Sequence, residues 1–144
     1  MIAIGSDHGG FELKTHIMKH LEEIGVEYKD FGCYDENSVD YPDIAEKVGN
    51  AVVSGECENG ILICGTGIGI SIAANKIKGV RAALCGDVYS AKMTKQHNNA
   101  NIICMGGRVI GRELAMMIVD SWLSAEFEGG RHQNRIDKIH NLEK

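Results

Sequence analysis

Apolar residues along this chain follow two rhythms. Short continuous runs alternate with stretches in which apolar positions recur every three or four residues. The runs are Met1–Gly5, Val26–Phe31, Ile61–Ile63, Val80–Cys85 and Ile102–Met105, and they predict five strands, most of them too uniformly apolar to be half exposed. Helical patterns fill the gaps. Leu13, Ile17, Leu21 and Ile24 mark one face of a helix that Gly25 stops. Pro42, the only proline, suits the first turn of a second helix through Ala45, Val48 and Val52. A third, short helix is expected over Ile70–Ala74, and Asp87 is placed to cap a fourth over Val88–Gln96. Gly111–Ser124 is apolar nearly all round, so it calls for cover on two sides, from the core and from a further surface such as another subunit. A polar, partly basic helix over Arg131–Leu142 closes the chain. Strands alternating with helices imply an α/β fold in three α/β/α layers: an open parallel five-stranded sheet, covered on both faces, with an extra C-terminal helix. One domain over residues 1–144 is expected, without repeat or linker.

The densest chemistry lies where the third strand ends, at Cys64-Gly65-Thr66-Gly67-Ile68-Gly69. A strand that breaks into a glycine turn and opens a helix aims free N–H groups at one point, which favours an anion. Cys64 stands beside that cradle and Thr66 puts a hydroxyl inside it. A helix N-terminus favours a thiolate over a thiol, and a thiolate acts as nucleophile or as base. Three familiar phosphate and thiol motifs do not fit. No Lys-Ser/Thr follows as in a Walker A loop, the Gly-x-Gly-x-x-Gly spacing is absent, and Ile70 stands where a Cys-x5-Arg enzyme needs arginine. A plain strand-to-helix turn with no ligand is the alternative. In open parallel sheets ligands bind beyond the carboxyl ends of strands. If strands one and three are neighbours, Asp7 and His8 share a crevice with Cys64 to Thr66.

Composition narrows the classes. With 15 Lys+Arg against 20 Asp+Glu, the formal charge is −5, which disfavours nucleic acid as a partner. Apolar runs such as Ala115–Val119 are too short to span a bilayer, so no membrane role is expected. Cys33, Cys57, Cys64, Cys85 and Cys104 are an odd number with no Cys-x-x-Cys pair, which suggests free thiols in a reducing compartment, the cytoplasm. Histidines and cysteines show no metal-ligand spacing, so no metal is expected. His16, His20 and His140 read as solvated helical residues. Arg131 and Arg135 are i and i+4 on one helical face with His132 beside them, and Arg108 follows the fifth strand. Arginine's planar fork suits a terminal phosphate, although a solvated terminal helix would carry the same residues.

Taken together these segments resemble one family. Gly5-Ser6-Asp7-His8-Gly9-Gly10, Asp40-Tyr41-Pro42-Asp43 and the Cys64–Gly69 loop occur in order, ahead of Ala73-Ala74-Asn75-Lys76, His97-Asn98-Asn99-Ala100 and Arg131-His132-Gln133-Asn134-Arg135-Ile136. The series resembles the ribose-5-phosphate isomerase B family, which also contains galactose-6-phosphate isomerase subunits, and spans nearly the whole chain. Gly9, where many members have alanine, is a small departure. The resemblance implies a Rossmann-like fold and aldose–ketose isomerisation of a sugar phosphate through an enediolate, with no cofactor. A second branch of that family places a glutamate base at the position of Ile70, so the resemblance selects Cys64 as base here. By the same resemblance Thr66 handles the substrate oxygens and His97, with Asp7 nearby, opens the sugar ring. The loop residues Gly65, Gly67, Ile68 and Gly69 then meet the developing oxyanion. Arg131, Arg135, Arg108 and His8 hold the phosphate, with Tyr41, Asn98 and His132 also lining the site. The family's site lies between subunits, so a homodimer, or such dimers paired into a tetramer, is expected. A hexose 6-phosphate (allose or galactose) remains an alternative substrate. So does a non-catalytic phosphosugar-binding module; a thiol-redox protein is weaker, since Cys64 has no resolving partner nearby in sequence.

Overall fold

The computed structural model describes residues 1–143. Strands β1 (Ile2–Ser6), β2 (Tyr28–Asp30), β3 (Asn59–Cys64), β4 (Ala82–Leu84) and β5 (Ile102–Gly106) form one sheet in the order β2-β1-β3-β5-β4. Every neighbouring pair is parallel. The helices are α1 (Phe11–Glu23), α2 (Tyr41–Val53), α3 (Ile68–Ala74), α4 (Val88–Asn98), α5 (Arg112–Ser124) and α6 (Arg131–His140), with a 3-10 turn at His8–Gly10. Asp87 caps α4 as its position suggests, accepting the Ser90 N–H at 2.6 Å. Among the described residues no helix is long and apolar enough to cross a membrane.

Alternation along the central strands divides the core in two. Ile2 and Ile4, Ile61 and Ile63, and Ile103 and Met105 face α1, α5 and Ala91 of α4. Ala3, Leu62, Cys64, Ile102 and Cys104 face α2 and α3. Each large aliphatic side chain buried this way contributes about 1.5–3 kcal/mol. Both edge strands are shorter than the sequence pattern predicts. Val26 closes the end of α1 instead, its N–H donating to the Leu21 carbonyl at 2.9 Å. On the other edge the Arg81 N–H bonds the Asn101 side-chain oxygen at 2.8 Å, so a side chain replaces the ladder partner just before β4.

Helix α5 meets half of its expectation. Ala115, Ile118, Val119 and Trp122 are buried, whereas Met117 is exposed. Two histidines expected in solvent are engaged. His20 pairs with Asp120 at 2.6 Å and ties α1 to α5. His140 is half-buried between Arg81 and Glu143, at 3.0 and 2.8 Å, and ties α6 to the start of β4.

Candidate active site

Helix α1 leaves β1 on one face of the sheet and α3 leaves β3 on the other, and β1 and β3 are neighbours. A crevice opens between their carboxyl ends for that reason. The two connecting loops touch: a methyl group on Gly9 would stand 3.1 Å from the Gly65 amide nitrogen. Residues Asp7, His8 and Ser38 to Asp43 line a cavity of about 540 Å³ on this side. His8 Nδ1 accepts the Val39 N–H at 3.3 Å, so its proton sits on Nε2. Asp7 is buried and its carboxylate accepts the Gly10 N–H at 3.1 Å, which caps the 3-10 turn. Tyr41 lies against Gly69, and a Cβ there would meet the Tyr41 ring at 2.6 Å.

The Cys64–Gly69 loop is tight. Gly67 takes φ +81°, a conformation that costs an L side chain about 1–2 kcal/mol, and begins α3 two residues earlier than predicted. This turn carries the Gly67 N–H back over the strand end, where it donates to Cys64 Sγ at 3.1 Å. The Ile68 N–H donates to Thr66 Oγ1 at 3.2 Å. Of the loop amides expected to face an anion, those of Gly67 and Ile68 are therefore already engaged. Among the described residues no protein acceptor meets the N–H of Thr66, Gly69 or Ile70. Arg108 reaches the same loop: its N–H donates to the Gly65 carbonyl at 3.0 Å and its side chain packs over Gly65.

All five cysteines are free and buried. They differ in what meets the sulfur. Burial pushes the Cys85 thiol up to about 11 and raises that of Cys104 as well, which suits inert core residues. Cys64, 4% exposed, is the one cysteine among the described residues whose sulfur accepts a backbone N–H.

The other expected residues lie at the opposite end of the sheet. Helix α4 runs from the carboxyl end of β4 back to the start of β5, so its last turn sits beside the amino ends of the strands. There Lys95 Nζ reaches Asn59, the first residue of β3, at 3.5 Å. His97 and Asn98 follow, and α6 packs on α4 and brings Arg131, His132 and Arg135 to the same end. His97 and His132 stack with ring centroids 4.4 Å apart and planes 10° apart. Glu128, absent from the expected set, joins them: its Oε1 lies 3.6 Å from His97 Nε2 and 3.3 Å from His132 Nε2. Arg131 and Arg135 are exposed, and among the described residues no carboxylate pairs with either.

Cys64 is five strand residues beyond Asn59, or about 16 Å. Within one chain, Asp7 is thus not near His97, and Arg108 and His8 do not converge with Arg131 and Arg135. Within one chain the expected residues fall into two groups. One half gathers at the carboxyl ends of β1 and β3, the other at the junction of α4 and α6. Nothing in the chain's spacing signals the role of Glu128, which the reversal through Gly129 and Gly130 (φ +69° and +58°) folds back on α4.

Known proteins match this architecture over its length. The Ribose/Galactose Isomerase family matches residues 2–139. Ribose-5-phosphate isomerase B of Escherichia coli K12 is 54% identical over 142 residues, covering 99% of this chain and 95% of that protein. The solved structure of Clostridium thermocellum ribose-5-phosphate isomerase B superposes with a TM-score of 0.98 at 57% identity, covering 99% and 96% of the two chains. That of a ribose 5-phosphate isomerase from Thermotoga maritima gives 0.96 at 54% identity, with 97% of each covered. The chain belongs to the ribose/galactose isomerase family.

Proposed function

We propose that this protein interconverts ribose 5-phosphate and ribulose 5-phosphate through an enediolate, with Cys64 as the base. The contact that carries the assignment is the Gly67 N–H on Cys64 Sγ at 3.1 Å, which ties the sulfur to the anion-stabilising loop. The Cys64 thiolate takes the proton from the carbon beside the carbonyl and returns it to the neighbouring carbon, so the reaction needs no redox partner. Negative charge grows on the substrate oxygen in between. The unengaged amides of Thr66, Gly69 and Ile70 are the donors at hand, each well-placed one worth about 3–4 kcal/mol to the transition state. The exposed Thr66 hydroxyl is suited to move a proton between the two substrate oxygens.

Ring opening falls to His97 and phosphate binding to Arg131 and Arg135, so the site needs both ends of the sheet. A second copy, arranged by two-fold symmetry, meets that need. One chain contributes Cys64, Thr66, Asp7, His8, Tyr41 and Arg108; the other contributes His97, Asn98, Arg131, His132 and Arg135. Exposed Ile68 and Ile72, one turn apart on α3, with exposed Leu84, offer apolar surface for such a contact. His8 presents its Nε2 proton from the crevice to a phosphate oxygen. Arg108 adds charge beside Gly65. Five unpaired thiols suit a reducing compartment, the cytoplasm.

The test is a ribose 5-phosphate isomerisation assay on wild type and Cys64→Ala. The variant should bind substrate yet lose turnover by orders of magnitude; undiminished turnover would eliminate the thiol as base. The family's description names galactose as well as ribose, which keeps a hexose 6-phosphate as a second reading. Higher kcat/KM for the six-carbon phosphate would establish it.

A further inference from the structure

The spacing of histidines along the chain gives no metal pattern, yet the fold builds a compact ligand set. His97 ends α4, Glu128 lies in the connection after α5, and His132 is in the first turn of α6. The three offer ligand atoms that all lie within 4.8 Å of one another. The Glu128 N–H donates to the Gln96 carbonyl at 3.0 Å, which pins the carboxylate's backbone to the end of α4. His132 is 8% exposed, so one ligand is held firmly while the others face solvent.

Around a tetrahedral zinc ion, nitrogen and oxygen ligands at about 2.0–2.2 Å stand about 3.3–3.6 Å from each other. The two nitrogen–oxygen edges here, 3.6 and 3.3 Å, already match. The remaining edge needs the stacked rings to tilt toward a common point, since parallel rings do not aim both nitrogens at one ion. His97 has room for this, with its side chain 40% exposed. Two imidazoles and one carboxylate favour zinc over magnesium or calcium, which prefer all-oxygen shells.

We propose that His97, Glu128 and His132 form a binding site for Zn²⁺, with water in the fourth position, and that occupancy withdraws His97 from the sugar ring. The site is then a reversible brake on the enzyme. The inhibitory half rests on the function proposed above; the binding half does not.

Untagged full-length protein is titrated with zinc chloride against a chromogenic chelator, with magnesium chloride as comparison. Wild type should bind one Zn²⁺ per chain and ignore Mg²⁺. Glu128→Gln and His97→Asn should each weaken binding at least about tenfold, the lower bound for disturbing a metal's supporting shell. Cys64→Ala should bind as wild type does, which separates this site from the thiol. Thermal unfolding of the apo variants checks that they are folded. Absence of binding, wild-type affinity in both ligand variants, or loss of binding in Cys64→Ala overturns the site. Ribose 5-phosphate turnover should fall in step with occupancy and return with a chelator. Full turnover at full occupancy overturns the brake alone. An enzyme inactive even without zinc counts against the proposed function and leaves the binding result standing.

Discussion

Chains carrying Cys64→Ala and chains carrying His97→Asn, each inactive alone, should regain activity when mixed. Cys64 ends β3, whereas His97 lies in the last turn of α4 near the strand's other end, where Lys95 reaches Asn59, and Asn59 and Cys64 are about 16 Å apart along the strand. Proton transfer needs contacts of about 2.6–3.2 Å, so one substrate cannot bridge that gap to both groups of one chain. If two copies share each site, a mixed dimer has one site with both residues intact and one with both lost. Random exchange makes about half of the dimers mixed, so about a quarter of wild-type activity should return. Subunits are exchanged by mixing the unfolded variants at equal concentration and refolding them. Aldose disappearance is then followed, and each variant refolded alone sets the baseline. A mixture that stays at that baseline, with mixed dimers demonstrated by mass, would refute the shared site.

Other perturbations test separate parts of the argument. Gly67→Ala must hold φ +81° and bring its Cβ within 2.6 Å of Leu84 and 2.7 Å of the Met105 backbone. A loss of about 2–4 kcal/mol is expected, read as a fall in Tm on the order of 10 °C; an unchanged Tm would contradict the loop geometry. Arg135→Ala removes a charged donor worth about 1.5–3 kcal/mol, so KM for ribose 5-phosphate should rise about 10- to 100-fold. The same change should leave KM for free ribose nearly untouched, and equal effects on both would remove the phosphate role. Cys85, pushed up to about 11 by burial, stays a protonated thiol in the folded state through pH 8. Iodoacetamide at pH 8 should therefore spare Cys85 until the chain is unfolded, as peptide mass mapping would record. The native state also holds that proton where the unfolded chain releases it. Stability from this group is present below the ordinary thiol range and is lost as pH rises from about 9 toward 11, so the denaturant midpoint should decline over that window.

Much of the fold was legible because its causes are local. Unbroken apolar runs such as Ile61–Ile63 and Ile102–Met105 belong in the middle of a sheet, and both are fully buried there. Asp87 before Val88, and Pro42 in a first turn, act within a few residues of themselves. The edge strands were less legible, because their limits depend on which partner a backbone group meets. Asn101 replaces a ladder bond for Arg81 across 20 residues, and no local pattern encodes that. The candidate site divides in the same way. The Cys64–Gly69 loop is contiguous, so its chemistry could be read from its letters. The crevice with Asp7 and His8 needed only that β1 and β3 be adjacent, which the pairing of Ile2–Ser6 with Asn59–Ile63 establishes.

By itself the sequence determined the type of each central element, the thiol beside a glycine turn, and the basic face of the last helix. Tertiary structure alone decided where those pieces stand relative to one another. It turned α4 back along the sheet and set His97 and Arg135 away from Cys64, so within one chain the candidate residues stand in two groups. It also folded Glu128 onto two stacked imidazoles. The reason is physical: strand and turn preferences act over a few residues, whereas the meeting of distant side chains depends on how whole layers pack.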